Sequence, residues 1–169
     1  PLLQSLSASA IATITEFRPL EIATTAWAFA TLGFEDMHFL QAISAAAIPS
    51  NLAFQPQNLA NTAWACAKLA WGDAPLLAAI SSAALTKLSE SVPFDPQNLS
   101  NIVWSFATLR RSDGPLFSAI AAASIRNISE FYPQCLSTTA WSYAQLQECH
   151  GPLLEALSSQ SQSIMAQFE

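Results

Sequence analysis

Charge is scarce in this sequence. Of 169 residues, 6 are Lys or Arg and 12 are Asp or Glu, 11% in all, against about 25% in a typical soluble domain. The six basic residues, Arg18, Lys68, Lys87, Arg110, Arg111 and Arg126, recur at no single spacing, which argues against a continuous phosphate-neutralising track. A net charge of −6 repels a polyanion at long range. Glycine is rare, with 4 residues, and none belongs to a glycine-rich phosphate loop. The 3 cysteines, Cys66, Cys135 and Cys149, are odd in number, at no metal-ligand spacing and too sparse for a disulfide framework. Cys66 reads as a small core residue, while Cys135 and Cys149 read as partly exposed. Two histidines, His38 and His150, sit near expected turns beside no plausible nucleophile, so capping or solvent roles suit them. Long apolar runs are missing as well. Ser, Thr, Asn or Gln interrupts every alanine-rich stretch, so no membrane-spanning helix is expected. The chain opens at Pro1 without a methionine, as a mature or trimmed fragment would, and no targeting segment is in view. No catalytic residue, metal site, cofactor or small-molecule substrate is expected.

What is abundant is helix-forming. Hydrophobic residues make up 51% of the chain, dominated by alanine and leucine, which favour helix. They repeat. Trp27, Trp64, Trp104 and Trp141 recur at intervals of 37, 40 and 37 residues, and Pro19, Pro56, Pro96 and Pro133 keep the same intervals. A second register, Pro1, His38, Pro75, Pro115 and Pro152, runs at 37, 37, 40 and 37. The three extra residues fit most simply in the joining segment at 91–95. Because proline is tolerated in a first helical turn but breaks an interior, each unit divides into a helix A and a helix B. The A helices are expected near 1–16, 38–48, 75–90, 115–130 and 152–167, and the B helices near 20–32, 57–70, 97–110 and 134–147. Asp73, Asp95 and Asp113 are expected helix caps, and the acidic pair Glu35–Asp36 also reads as capping.

The fold class that follows is all-α: an α-solenoid of helix-turn-helix repeats of about 37 residues with about nine helices. It forms one helical-repeat domain over 1–169, with repeats near 1–37, 38–74, 75–114 and 115–151 and a terminal helix over 152–169. Helix B carries superposed apolar rows: Ile22, Leu59, Leu99 and Leu136; Ala26, Ala63, Val103 and Ala140; Phe29, Cys66, Phe106 and Tyr143; Ala30, Ala67, Ala107 and Ala144. Leu32, Leu69, Leu109 and Leu146 extend the stripe. Helix A repeats Leu3, Leu40, Leu77, Phe117 and Leu154, then Leu6, Ile43, Ile80, Ile120 and Leu157. Both stripes sit at helical spacing and read as core. The four regularly spaced tryptophans, Trp27, Trp64, Trp104 and Trp141, read as structural core between repeats, and Trp71, out of register, reads as the exposed aromatic.

Opposite the apolar stripe stands one polar residue per repeat: Thr24, Asn61, Asn101 and Thr138. Such side chains hydrogen-bond base edges in modular RNA-binding repeats, and they also simply keep a helix face soluble. Ala65 reads as a residue of the same outer side.

The phrase Asn58-Leu59-Ala60-Asn61-Thr62-Ala63-Trp64-Ala65-Cys66-Ala67-Lys68-Leu69, with Thr25–Gly33, Leu99–Leu109 and Leu136–Ala144 fitting it, resembles the octotricopeptide repeat family, relatives of the pentatricopeptide-type helical repeats. The resemblance covers essentially the whole chain. It implies an α-solenoid in a plastid or mitochondrion, usually one that binds organellar RNA and steers its processing, stability or translation. The shortage of basic residues points elsewhere. A low-charge exterior suits burial in a protein interface, so the first expectation is a non-catalytic scaffold or accessory subunit. Its partners would be protein subunits of a larger organellar assembly, such as a ribosome or a photosynthetic or respiratory complex. RNA binding is the alternative.

Overall fold

The computed structural model describes residues 2–166. Within them nine α-helices follow one another: α1 (Leu2–Thr13), α2 (Pro19–Thr31), α3 (Met37–Ser50), α4 (Pro56–Lys68), α5 (Ala74–Ser89), α6 (Pro96–Thr108), α7 (Gly114–Arg126), α8 (Pro133–Gln145) and α9 (Gly151–Met165). No strand occurs among the described residues. Odd-numbered helices are the A helices and even-numbered ones the B helices. The expected starts at Pro1 and ends beyond 166 lie outside the described residues.

The B helices are alike because their punctuation is alike. Each is 13 residues long and opens with proline in its first turn, where the missing N–H costs nothing. In α2 and α4 the side chain of the third residue reaches back: the N–H of Arg18 donates to Glu21 at 2.7 Å and that of Gln55 to Asn58 Oδ1 at 2.8 Å. Each B helix ends at a leucine followed by a left-handed residue: Gly33, Ala70, Arg110 and Gln147, with φ of 63°, 50°, 53° and 57°. The next N–H then bonds five residues back, Phe34 to Phe29 O, Trp71 to Cys66 O, Arg111 to Phe106 O and Glu148 to Tyr143 O, at 2.8–3.0 Å. This is the Schellman arrangement, which satisfies the last carbonyls of a helix.

The A helices vary. Asp36 accepts from the N–H groups of His38 and Phe39, Asp73 from Leu76, Asp113 from Leu116, and His150 Nδ1 from Leu153 at 3.4 Å. Asp95, an expected cap, precedes α6 but makes no side-chain cap bond. It begins a B helix, whose proline stands at the first helical position, whereas Pro75 and Pro115 stand at the second in the A helices that Asp73 and Asp113 cap. Three A helices run into 3-10 turns, at Ile14–Glu16, Asn51–Ala53 and Ile128–Glu130. Among the inner A helices the exception is α5, with 16 residues against 13 in α7. The three extra residues therefore lengthen helix α5 instead of entering the joining segment. Ala84–Ser89 offers no breaker, and Ser91, at φ 59°, closes the longer helix by letting Val92 N–H reach Lys87 O at 2.9 Å.

The helices stack in two layers, and substantial contacts join only helices one or two apart in the chain. That is the contact pattern of an α-solenoid. The B layer is the tighter one. Its facing surfaces are small: Ala60, Ala63, Ala65 and Ala67 of α4 are all buried, which lets helix axes come close. Ala65, read from sequence as outward, is 3% exposed and lies inside this seam. Hydrogen bonds also tie distant parts of one repeat together: Ser7 Oγ donates to Asp36 Oδ2 and Ser81 Oγ to Asp113 Oδ2, both at 2.6 Å, and Tyr143 OH to Phe117 O at 2.6 Å.

The core rows hold inside the stack and open at its ends. Ile43, Ile80 and Ile120 are fully covered, whereas Leu6, at the matching place in α1, is 49% exposed. Leu154 is exposed where Leu40, Leu77 and Phe117 are buried, and Leu32 is exposed where Leu69 is buried. An end helix lacks the neighbour that covers the same row elsewhere. Cys135, expected to be partly exposed, is buried, and Cys149 is exposed.

Candidate functional site

The side chains that face outward from the B layer form two consecutive grooves. The first, of ≈ 340 Å³, is lined by Thr24 and Trp27 of α2, Gln57 and Asn61 of α4, and Gln97, Asn98 and Asn101 of α6. The second, of ≈ 270 Å³, is lined by Trp104 of α6 and by Ser137, Thr138 and Trp141 of α8. All four residues of the polar row lie in these grooves. In every B helix the row residue and the tryptophan are three apart, so both project from one side. Thr24 is exposed, and Asn61, Asn101 and Thr138 are half-buried.

The tryptophans do pack between repeats, but not in the core. Trp27 and Trp141 are each 45% exposed, and Trp64 and Trp104 are half-buried. Ring centroids of Trp27 and Trp64 lie 6.4 Å apart, those of Trp64 and Trp104 6.5 Å apart with planes at 28°. The result is a ladder of indoles along the surface. The core reading is corrected for a simple reason: regular spacing marks a position used in every repeat, buried or not. Trp71, expected to be exposed, is half-buried against the core, held by the backbone bond that closes α4.

Polar partners separate structural from available groups. Thr24 Oγ1 donates to Leu20 O at 2.7 Å, inside its own helix. Asn58 is used to cap α4. The carboxamides of Asn61 and Asn101 have no partner among the described residues, and each carries both donors and an acceptor. No residue lining either groove is charged. None of the basic residues lines either groove, and three are engaged elsewhere: Arg18 pairs with Glu21 at 2.6 Å, Lys87 Nζ donates to Leu52 O, and Arg111 donates to Gly72 O. Gln57, Gln97 and Ser137 were not singled out from sequence. The signal for the first two was present, since Gln57, Gln97 and Gln134 each follow the proline that opens a B helix.

Nucleophile chemistry finds no support in the buried groups. Burial pushes the Cys66 thiol up to about 12, far from a reactive thiolate. His38 is solvent-facing beside Asp36 and His150 caps α9. Among the described residues no group of three or more His, Cys, Asp or Glu is placed to hold a metal ion, and no helix is long and apolar enough to cross a membrane.

Two-helix repeats stacked into an α-solenoid, with a neutral aromatic and carboxamide face on one layer, define the class of molecule this is. Compared with known proteins, the chain matches no family model and no curated protein.

Proposed function

We propose that the chain is a non-catalytic binding scaffold that docks protein through the outer face of its B layer, as an accessory subunit of a larger organellar assembly. The observation that carries this reading is the chemistry of that face: half-exposed indoles and partnerless carboxamides in two grooves without a single charge. Protein interfaces are enriched in aromatic residues and depleted of charge at their centres. The organelle comes from the resemblance to octotricopeptide repeats.

RNA is the second reading, favoured by one feature. Asn or Thr stands beside an indole once per repeat, as a base-reading surface requires. Against it, phosphate contacts supply much of the affinity for RNA, and no Lys or Arg lines either groove. The test is native size fractionation of an organelle lysate with and without ribonuclease, following the chain by immunoblot. A large particle that survives ribonuclease with its protein subunits is the expected result. A shift to small size on RNA digestion sinks the scaffold reading in favour of RNA.

A further inference from the structure

We infer that the partner enters the B-layer grooves as an extended, uncharged polypeptide segment, its backbone held by Asn61 and Asn101 and its side chains lodged against the indoles. This rests on the protein-binding reading above and adds the form of the partner.

Three observations converge. The first is hydrogen bonding. Asn61 and Asn101 sit half-buried in one groove with nothing to bond to among the described residues. Their neighbour Asn58, on the same helix as Asn61, is consumed in capping, whereas Asn98, its counterpart on α6, lines the groove beside them. A carboxamide offers donor and acceptor together, the same pair that a peptide unit offers in return. A phosphate offers acceptors only and calls for cationic donors, which the grooves lack.

The second is spacing. Successive indole centroids are 6.4 and 6.5 Å apart. An extended chain advances about 3.3 Å per residue and turns alternate side chains to one face, a repeat of about 6.6 Å. Every second side chain of such a segment therefore meets one step of the ladder. A helix advances 5.4 Å per turn with a body about 10 Å across, which does not match that step.

The third is charge. The lining residues are Thr, Gln, Asn, Ser and Trp, so a charged side chain entering the groove would lose water without gaining a counter-charge. The partner segment is therefore neutral and rich in small polar and apolar residues. Main-chain capture of this kind gives affinity, and alternate side chains give specificity.

The test uses the whole chain and a phage-displayed library of random 12-residue peptides. Enriched peptides, resynthesised with a fluorophore, are titrated against the wild-type chain and the Asn61→Ala/Asn101→Ala variant, whose thermal midpoint is checked against wild type. The expected result is a family of neutral peptides whose affinity falls at least tenfold in the variant and is abolished by N-methylating alternate backbone amides. The inference is overturned if no peptide is enriched, if binding is indifferent to both asparagines, or if N-methylation at every position leaves affinity unchanged. A labelled mixed-sequence 15-nucleotide RNA is titrated alongside. Asparagine-dependent RNA binding would overturn this inference and the protein reading together. If the double variant stays in the ribonuclease-resistant particle, only the extended-segment inference fails and the scaffold stands.

Discussion

The two layers of this solenoid solve the same packing problem with different tolerance. B helices are uniform in length, in their opening proline and in their left-handed exit. A helices differ in length, capping residue and exit. The difference follows from spacing. Alanine-lined B helices approach closely, so any change in length or volume is felt by two neighbours. The A layer is looser and absorbs a three-residue insertion in α5 without disturbing the register of α6. A layer held this regular keeps one polar residue and one indole in step over four repeats, which is why the binding face is proposed on B and not on A.

The largest test of this contrast is a charge placed in each layer. Ala65→Glu buries a carboxylate in the B seam and should cost more than about 3 kcal/mol. Ala45→Glu, at an exposed site of α3, should stay within about 0.5 kcal/mol. Urea unfolding of both variants decides it, and equal losses would contradict the burial of Ala65 in the B seam.

Smaller effects sharpen the comparison by using one repeat as the control for another. Thr25 and Thr62 return their hydroxyls to Glu21 O and Asn58 O, and Ile102 does without one, but Thr139 Oγ1 is buried with no partner. Thr139→Val should therefore stabilise by about 1 kcal/mol. The A-layer counterpart is Ser124, also buried and unsatisfied in a row that holds Ala10, Ala47 and Ala84 in the three preceding repeats. Ser124→Ala should raise the thermal midpoint to a similar degree, and a fall in either variant would mean that the hydroxyl is used.

The B-helix exits offer a third comparison. Only α2 ends on a glycine, and Arg110 holds φ at 53°, a region in which a side chain is strained. Arg110→Gly should stabilise by about 0.5–1 kcal/mol, measured by calorimetry, whereas Gly33→Ala should destabilise.

The smallest effect belongs to the A-helix entries. The Ser7 hydroxyl, followed by the N–H groups of Phe39 and His38, holds the Asp36 carboxyl below its ordinary 3.8. A carboxyl depressed on folding adds stability that is present above its unfolded value and is lost as pH falls through the folded one. The acid limb of a stability profile, below about pH 4, should therefore flatten in Asp36→Asn. An unchanged limb would remove Asp36 from that account.

The repeat architecture was legible in the sequence because proline and tryptophan mark the same two points in every unit. Helix type and order followed from those marks. The depth of each row was less legible. Trp27 and Trp141 recur as faithfully as Leu59 and Leu99, yet the leucines are covered and the indoles are half in water. Periodicity places residues on a common line along the stack, and only the neighbouring helices decide whether that line is covered. Ala65 shows the converse: an alanine beside a tryptophan reads as outward, but close approach of α4 and α6 buries it. The polar row Thr24, Asn61, Asn101 and Thr138 was legible as a surface row. The joining of its first three members to Gln57 and Gln97 in one groove depended on the distance between helices, which one repeat alone does not encode.

The most direct measurement places a photoreactive benzoylphenylalanine at Gln57 in the B-layer groove and, in a second chain, at Gln41, exposed on α3. After irradiation in the organelle, adducts are identified by mass spectrometry with and without ribonuclease. The account predicts polypeptide adducts at Gln57 that ribonuclease leaves unchanged, and few at Gln41. Ribonucleotide adducts at Gln57, or equal polypeptide capture from both layers, would contradict it.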